Sequence, residues 1–376
     1  MRDKNVLYIG SFELPDKDAA AHRVLGIAKA LRECNNRVYF VGADRGSKTS
    51  QDLCNIRTTK KEVQGFECYS RVYPGNSKAW VGYLFDIRPY IEVLDYIGDI
   101  NAVICYDLSA ISLEKIRRFC KRRNILCIAD NTEWYSVAGR RFPVNVIKGL
   151  DEFFRMRIIH KRLDGLIVIS SYLKRYYKKC KNVIRIPPLT DLNEEKWINK
   201  YEKDKRVLRL VYAGAPGRKD RIDYLIRAVG GLNRSYRLDV IGITKDEYLK
   251  LYSGHEDIVN RNDNIKFHGR ISHREVLEYV KKANYSCFFR DRSRVAMAGF
   301  PTKFVEAISC GTPVISNDTS DLLKYTEKGN GIILDSADLK SIRKVLETVP
   351  VLQKVNRGRF DYHNYIGKIN EWMNIS

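Results

Sequence analysis

The stretch from Gly299 to Ile315, GFPTKFVEAISCGTPVI, holds the residues whose types and spacing are best suited to chemistry. Pro301 is pre-set for a helix start, and Gly311 supplies a stop before the apolar run of a following strand. A helix begun there points free backbone N–H groups and a partial positive charge at whatever lies ahead of it, which suits a phosphate. Lys303 adds a full charge beside those amides, and Glu306, one turn on, can accept hydrogen bonds from sugar hydroxyls. Together these parts fit a nucleotide diphosphate better than a bare anion. The plainer reading of a Lys–Glu pair three residues apart is a solvated surface pair, so the rest of the chain must decide.

The elements around this unit form a series. In the first half, apolar runs at 6–10, 37–43, 102–106, 125–130, 165–171 and 182–188 read as strands. Helical patterns at 19–34, 111–124 and 172–180 separate them, with a further one at 81–100 that Pro89 should break or kink. Residues 189–206 are polar and charged and read as a linker. The pattern then restarts, with strands at 209–214, 237–243, 265–269, 285–290, 312–317 and 331–334. Helices are expected at 221–232, 272–284, 302–309 and 339–349, the second opened by a Ser272–Glu275 capping box. Apolar strands alternating with helices imply parallel sheets covered on both faces. The fold class is therefore α/β, with two tandem Rossmann-like doubly wound domains at 1–188 and 207–358 and a final helix in 359–376. Such a pair is expected to face a cleft with the carboxyl ends of its strands.

At 376 residues the chain is too long for one compact core. It has no run of about 18 apolar residues, so no membrane span is expected. MRDKNVLYIGSF at the start runs directly into a strand without a signal-peptide layout. The nine cysteines are scattered and free of CxxC pairs, which fits a reducing compartment. We therefore expect a cytoplasmic protein. A net charge of +22 favours an acidic partner: nucleic acid, an anionic membrane face or a phosphorylated substrate. Zinc-finger spacing, an RRM signature and basic-zipper heptads are all missing, so nucleic acid is not expected. Segment 139–162 mixes Arg and Lys with Phe142, Phe153, Phe154, Ile158 and Ile159, the composition of a helix lying on an anionic bilayer. The alternative is a domain helix with a basic outer face.

The order of motifs resembles the retaining glycosyltransferases of family four, which have the two-Rossmann GT-B fold. The similarity covers nearly the whole chain. It runs through YIGSFELPDKDAAAHRVLGIAKAL (8–31), HKRLDGLIVISSYLK (160–174), IRIPPLTD (184–191), LVYAGAPGRKDRIDYLIRAV (210–229), LDVIGI, IKFHGRISHREV and the 299–315 stretch. The resemblance implies a UDP- or GDP-linked sugar donor as substrate, no cofactor and no metal, and a saccharide or lipid-linked saccharide acceptor. It also implies a closing helix that crosses back to the N-terminal domain.

Carried over by position, Lys219 matches the family lysine on the donor diphosphate, with Arg218 beside it and Gly214 before it. Glu306 matches the second carboxylate of the family's Glu-x₇-Glu pair, which holds the ribose. Lys303, with the backbone of Gly299, Phe300 and Thr302, would face phosphates or sugar. His268 and Gly269 would border the nucleobase, and Gly10 and Ser11 would lie across the cleft. Two departures stand out. The first family carboxylate is replaced by Ala298, leaving Arg290, Asp291 or Arg294 to contact the sugar. The family histidine after the fourth strand of the N-terminal domain is missing, and ADNTEWYS (129–136) offers Asp130, Asn131 and Glu133 in its place. Asn131, Glu133 and His22 are thus the catalytic candidates, His22 having a plain surface imidazole as its alternative.

Chemically, the donor half must stabilise a departing diphosphate while positive charge grows at the anomeric carbon, which fixed cations and a helix end can do without a metal. Asp16-Lys17-Asp18 is a textual DxD, but it precedes a helix and is not read as a metal site. The function expected is sugar transfer in surface polysaccharide biosynthesis at the inner face of the cytoplasmic membrane. The rivals are a sugar-nucleotide epimerase and a weakened homologue that only binds the nucleotide sugar.

Overall fold

The computed structural model describes residues 4–15, 18–46, 56–136, 141–216, 220–326, 329–350 and 354–375. The chain divides into one unit of Met1–Leu189 with Tyr362–Ser376 and a second of Thr190–Asp361.

The first unit is built on eight strands: β1 Asn5–Gly10, β2 Arg37–Asp44, β3 Lys61–Val63, β4 Phe66–Val72, β5 Ala102–Tyr106, β6 Leu126–Asn131, β7 Gly165–Val168 and β8 Val183–Arg185. Their order is β3-β4-β2-β1-β5-β6-β7-β8, all parallel except the β3–β4 edge pair. That edge was not legible as strand. Lys61, Glu62, Glu67, Ser70 and Arg71 interrupt the apolar run, because an edge needs less apolar surface than the centre. Pro89 does break the expected 81–100 helix. Ser77–Phe85 ends at Asp86, and Arg88–Ile97 restarts with the proline in its first turn. Chain order reverses between β1 and β5, where Gly10 ends its strand. A Cβ on Gly10 would stand 2.1 Å from the Tyr106 carbonyl oxygen, so only glycine fits. The helix Ile366–Ile375 belongs to this unit: Trp372 donates its indole N–H to the Asn182 carbonyl at 2.9 Å, and Ile369 and Met373 join the core.

The second unit has β9 Leu208–Ala213, β10 Tyr236–Ile241, β11 Ile265–Phe267, β12 Tyr285–Cys287, β13 Val314–Asn317 and β14 Gly331–Leu334. They run parallel in the order β11-β10-β9-β12-β13-β14, so the topological switch point falls between β9 and β12. Of residues 189–206, expected as a linker, Leu189 belongs to the first unit and 190–206 to this one. Trp197 is buried, Asn199 donates to the carbonyls of Lys281 and Cys310, and the Lys203 ammonium bonds Thr312 at 2.9 Å. Asn199 and Lys203 thus satisfy helix and strand ends, while Glu195, Lys200, Glu202, Lys205 and Arg206 face solvent.

Candidate donor and acceptor sites

The switch point of the second unit gathers charge. After β9 the chain turns at Gly214, with φ +127, and a Cβ at the neighbouring Gly242 would meet the Gly214 carbonyl carbon at 2.5 Å. Two backbones therefore pass at closest approach there, which only glycine permits. Over the Gly214 turn reaches Lys303, whose Nζ lies 3.5 Å from a Cβ built on that glycine. Its helix, Thr302–Ser309, is preceded by Pro301 as cap residue and has no side-chain cap, so first-turn amides are left for a ligand.

Lys303 Nζ lies 3.1 Å from Asp220 Oδ2 and 3.3 Å from Tyr212 Oη. Arg290 Nε donates to the other oxygen of Asp220 at 2.8 Å, and the two residues also form a short backbone bridge. Asp220 is thus shared by two cations that sequence reasoning had aimed at the substrate. Burial alone would lift the Asp220 carboxyl, but the Lys303 ammonium and the Arg290 guanidinium outweigh it and hold the group at about 2. For Lys303 burial dominates, bringing the ammonium from 10.5 down to about 8 against the pull of Asp220. Its side chain is 11% exposed. Asp220 and Tyr212 were missed from sequence. The signal available was the aspartate immediately after the glycine-rich turn, in GRKD.

The other donor-side candidates divide. Glu306 accepts from His273 Nε2 at 3.2 Å, across from a helix opened by the capping box of Ser272 and Glu275. Phe300 turns its ring into an aromatic cluster with Phe304, Tyr325 and Phe360, and the Gly299 amide donates to Val295. Neither Phe300's side chain nor Gly299's N–H is therefore available to a ligand. His268 has both ring nitrogens engaged, with Asp239 at 2.8 Å and Tyr279 at 3.3 Å, and its amide donates to Val240. It braces β11 to β10 rather than offering an imidazole to a base. Gly269, with φ +65, accepts from the Gly242 amide at 2.7 Å and so fixes the backbone beside the Gly214 turn. Ala298 is fully buried and supplies no polar group where the family has a carboxylate. Arg218 and Lys219 lie outside the described residues.

In the first unit, a small cavity at the ends of β5 and β6 is lined by Asp107, Asn131, Thr132, Glu133, Tyr135, Arg155 and His160 among others. Asn131 is buried and its amide contacts Met156 Sδ and Tyr177 Oη, both at 3.3 Å. Glu133 is half-buried and has no hydrogen-bond partner among the described residues. Arg155 bonds Asp107 at 2.7 Å and Glu152 at 2.5 Å. Burial works against its charge, but these carboxylates raise its pKa. His160 is driven down to about 3 by burial, helped by Arg155, and its Nδ1 meets Tyr177 Oη at 2.8 Å. It is a neutral ring inside the unit.

Of the catalytic candidates, Asn131 and Glu133 share this cavity, whereas His22 is half-buried on helix Ala19–Glu33 and does not line it. Its neighbour Arg23 turns inward instead, pairing with Asp130 at 2.6 Å while Tyr8 donates to the same carboxylate at 2.5 Å. Gly10 owes its identity to Tyr106, and the Ser11 amide is directed at the same carbonyl at 3.4 Å. Asp18 of the DxD accepts from the Ala21 amide as a helix cap and pairs with Arg45 at 2.8 Å, while Asp16 and Lys17 lie outside the described residues. Among the described residues no three His, Cys, Asp or Glu side chains are grouped to hold a metal ion.

The comparison that decides the second unit is a family model, described as glycosyl transferases group 1, matching residues 193–354. Those residues, most of the second unit, are thus similar to the glycosyl transferases group 1 family. No curated protein matches the chain by sequence. Solved structures match its fold over nearly its whole length. Sucrose-phosphate synthase from Thermosynechococcus elongatus aligns with TM-score 0.68 at 15% identity, covering 99% of this chain and 98% of that one. Anabaena HepE, in complex with UDP and glucose, aligns with TM-score 0.64 at 13% identity over 99% of each chain. The lipopolysaccharide outer core galactosyltransferase WaaB, in its apo form, gives TM-score 0.58 at 14% identity over 98% and 94%. The two α/β units are thus those of the GT-B fold, as the motif order implied.

Proposed function

We propose that the protein transfers a sugar from a nucleoside-diphosphate sugar, UDP- or GDP-linked, to a saccharide or lipid-linked saccharide acceptor in surface polysaccharide assembly. Lys303, poised over the Gly214 turn at an uncapped helix start, is the observation that carries this reading. The HepE structure, described as holding UDP and glucose, supports the nucleotide class. In this reading the Thr302 and Lys303 amides and the Lys303 ammonium receive the diphosphate, which competes with Asp220 for that ammonium. Glu306 receives the ribose hydroxyls, at the expense of its contact with His273. Charge building on the departing phosphate is then met by cations already in place, without reorganisation in the transition state. Retention of the anomeric configuration follows from front-face attack, with the leaving phosphate taking the acceptor proton. Metal-independent chemistry at the inner membrane face completes the proposal.

The test is melting of the full chain against UDP, GDP and ADP, followed by transfer assays with the sugar nucleotides of whichever base stabilises it. One base should raise the melting temperature and its sugars should turn over. Stabilisation without turnover under any acceptor would favour the binding-subunit alternative suggested by Ala298. No stabilisation by any nucleotide would overturn the site.

A further inference from the structure

The helix Val144–Phe154 is inside out. Its one buried residue is Glu152, which accepts from the Tyr135 amide at 3.0 Å and pairs with Arg155. Half-buried Asp151 accepts from the Ala110 amide at 2.7 Å, at the start of helix Ala110–Arg122. The apolar residues face away: Ile147 is 61% and Leu150 53% exposed, with Val146, Phe153 and Phe154 also exposed and Phe142 ahead of the helix at 80%. Side chains of this size do not normally collect on one exposed helix face, and a contiguous patch of them marks an interaction surface.

We propose that this face inserts into the headgroup boundary of an anionic bilayer. The choice of occupant follows from charge. Both carboxylates of the helix are turned inward and bonded, so the helix's outward face carries no acid. Arg141 just ahead of it, Lys148 on it and Arg157 over the Phe153 ring are exposed, as are Lys161 and Arg162 further along the chain. A second copy of the chain docking face to face would bring these like charges together, in a protein already at +22. An anionic lipid surface takes both components, the apolar side chains in the acyl boundary and the cations among the phosphates. The inference deepens the proposed lipid-linked acceptor and rests on that part of the functional reading, not on the donor site.

Vesicle sedimentation tests it, using phosphatidylcholine alone and phosphatidylcholine mixed with phosphatidylglycerol. The full chain should sediment with the mixed vesicles, weakly with the neutral ones, and less as salt rises. I147D/L150D should lower partitioning by at least ~10-fold, since it replaces buried-on-binding apolar surface with charge. K148E/R157E should lower it by ~5-fold or more per position in the mixed vesicles only. The second variant keeps the apolar face and so decides the matter if the first fails to fold. Melting with nucleotide, read in parallel, reports the donor site separately. Equal binding of wild type and both variants, or no binding by wild type, overturns the proposal. So does a concentration-dependent dimer that I147D/L150D abolishes.

Discussion

Asp220→Asn should move the pH at which the nucleotide site weakens. In the folded protein Lys303 sits at about 8, pressed down by burial and partly supported by Asp220 at 3.1 Å. Removing that carboxylate leaves burial and the Arg290 charge to lower it, opposed only by the weaker pull of Glu306. A close opposite charge is worth roughly 1–3 pKa units, so the variant lysine loses its proton from a start correspondingly below 8. Near neutral pH it would then be largely uncharged. The lost charge-assisted hydrogen bond to a diphosphate is about 1.5–3 kcal/mol, or roughly one to two decades in affinity. Isothermal titration with the stabilising nucleoside diphosphate, from about pH 7 upward so that the phosphate (pKa near 6) stays ionised, reads the effect. Wild-type affinity should hold to about pH 8 and then fall, by up to ~10-fold per pH unit. In the variant the fall should already be under way at the lowest pH. A wild-type affinity that stays flat across this range, or the same profile in the variant, refutes the role given to Lys303. Urea melts should show the variant less stable by up to about 3–5 kcal/mol, because two buried cations lose their shared anion.

Further outcomes follow from other contacts. Glu306→Ala should weaken nucleoside diphosphate binding by about one decade while leaving the free nucleobase unaffected, measured by titration with both ligands; equal loss for both would remove the ribose assignment. Arg23→Met should cost about 3–5 kcal/mol in a urea melt of the first unit, since Asp130 would be left buried without its cation. A loss under about 1 kcal/mol would mean that Tyr8 alone satisfies the carboxylate. His160 has a folded value near 3 against an ordinary 6.5, so the unfolded chain takes up the proton first. Its contribution to stability is complete above 6.5 and is lost as pH falls from there toward 3. His160→Gln should flatten that part of the stability–pH profile, and an unchanged slope would count against the buried neutral ring.

Local signals in the sequence settled the periodic elements. Central strands such as β1 and β9 are apolar throughout because both faces are covered, and that pattern needs no partner to be read. Pro301, Gly311, Pro89 and the Ser272–Glu275 box act within a few residues, so the helix ends they imply appear where expected. The motif order likewise anticipated the two-unit fold. What tertiary structure decided was the partner of each charge. Asp220 is brought to Lys303 and Arg290 from 83 and 70 positions away, and no local pattern distinguishes a lysine bound to substrate from one bound to a buried aspartate. The same holds for Arg23, which was passed over beside His22 although it pairs with Asp130 across 107 positions. The direction of helix Val144–Phe154 was also a tertiary matter. Composition left segment 139–162 either on a bilayer or as a domain helix with a basic outer face, and the bonds of Asp151 and Glu152 to neighbouring backbone and Arg155 hold its apolar side outward. Periodicity is a property of the chain; pairing and facing are set by what the fold brings alongside.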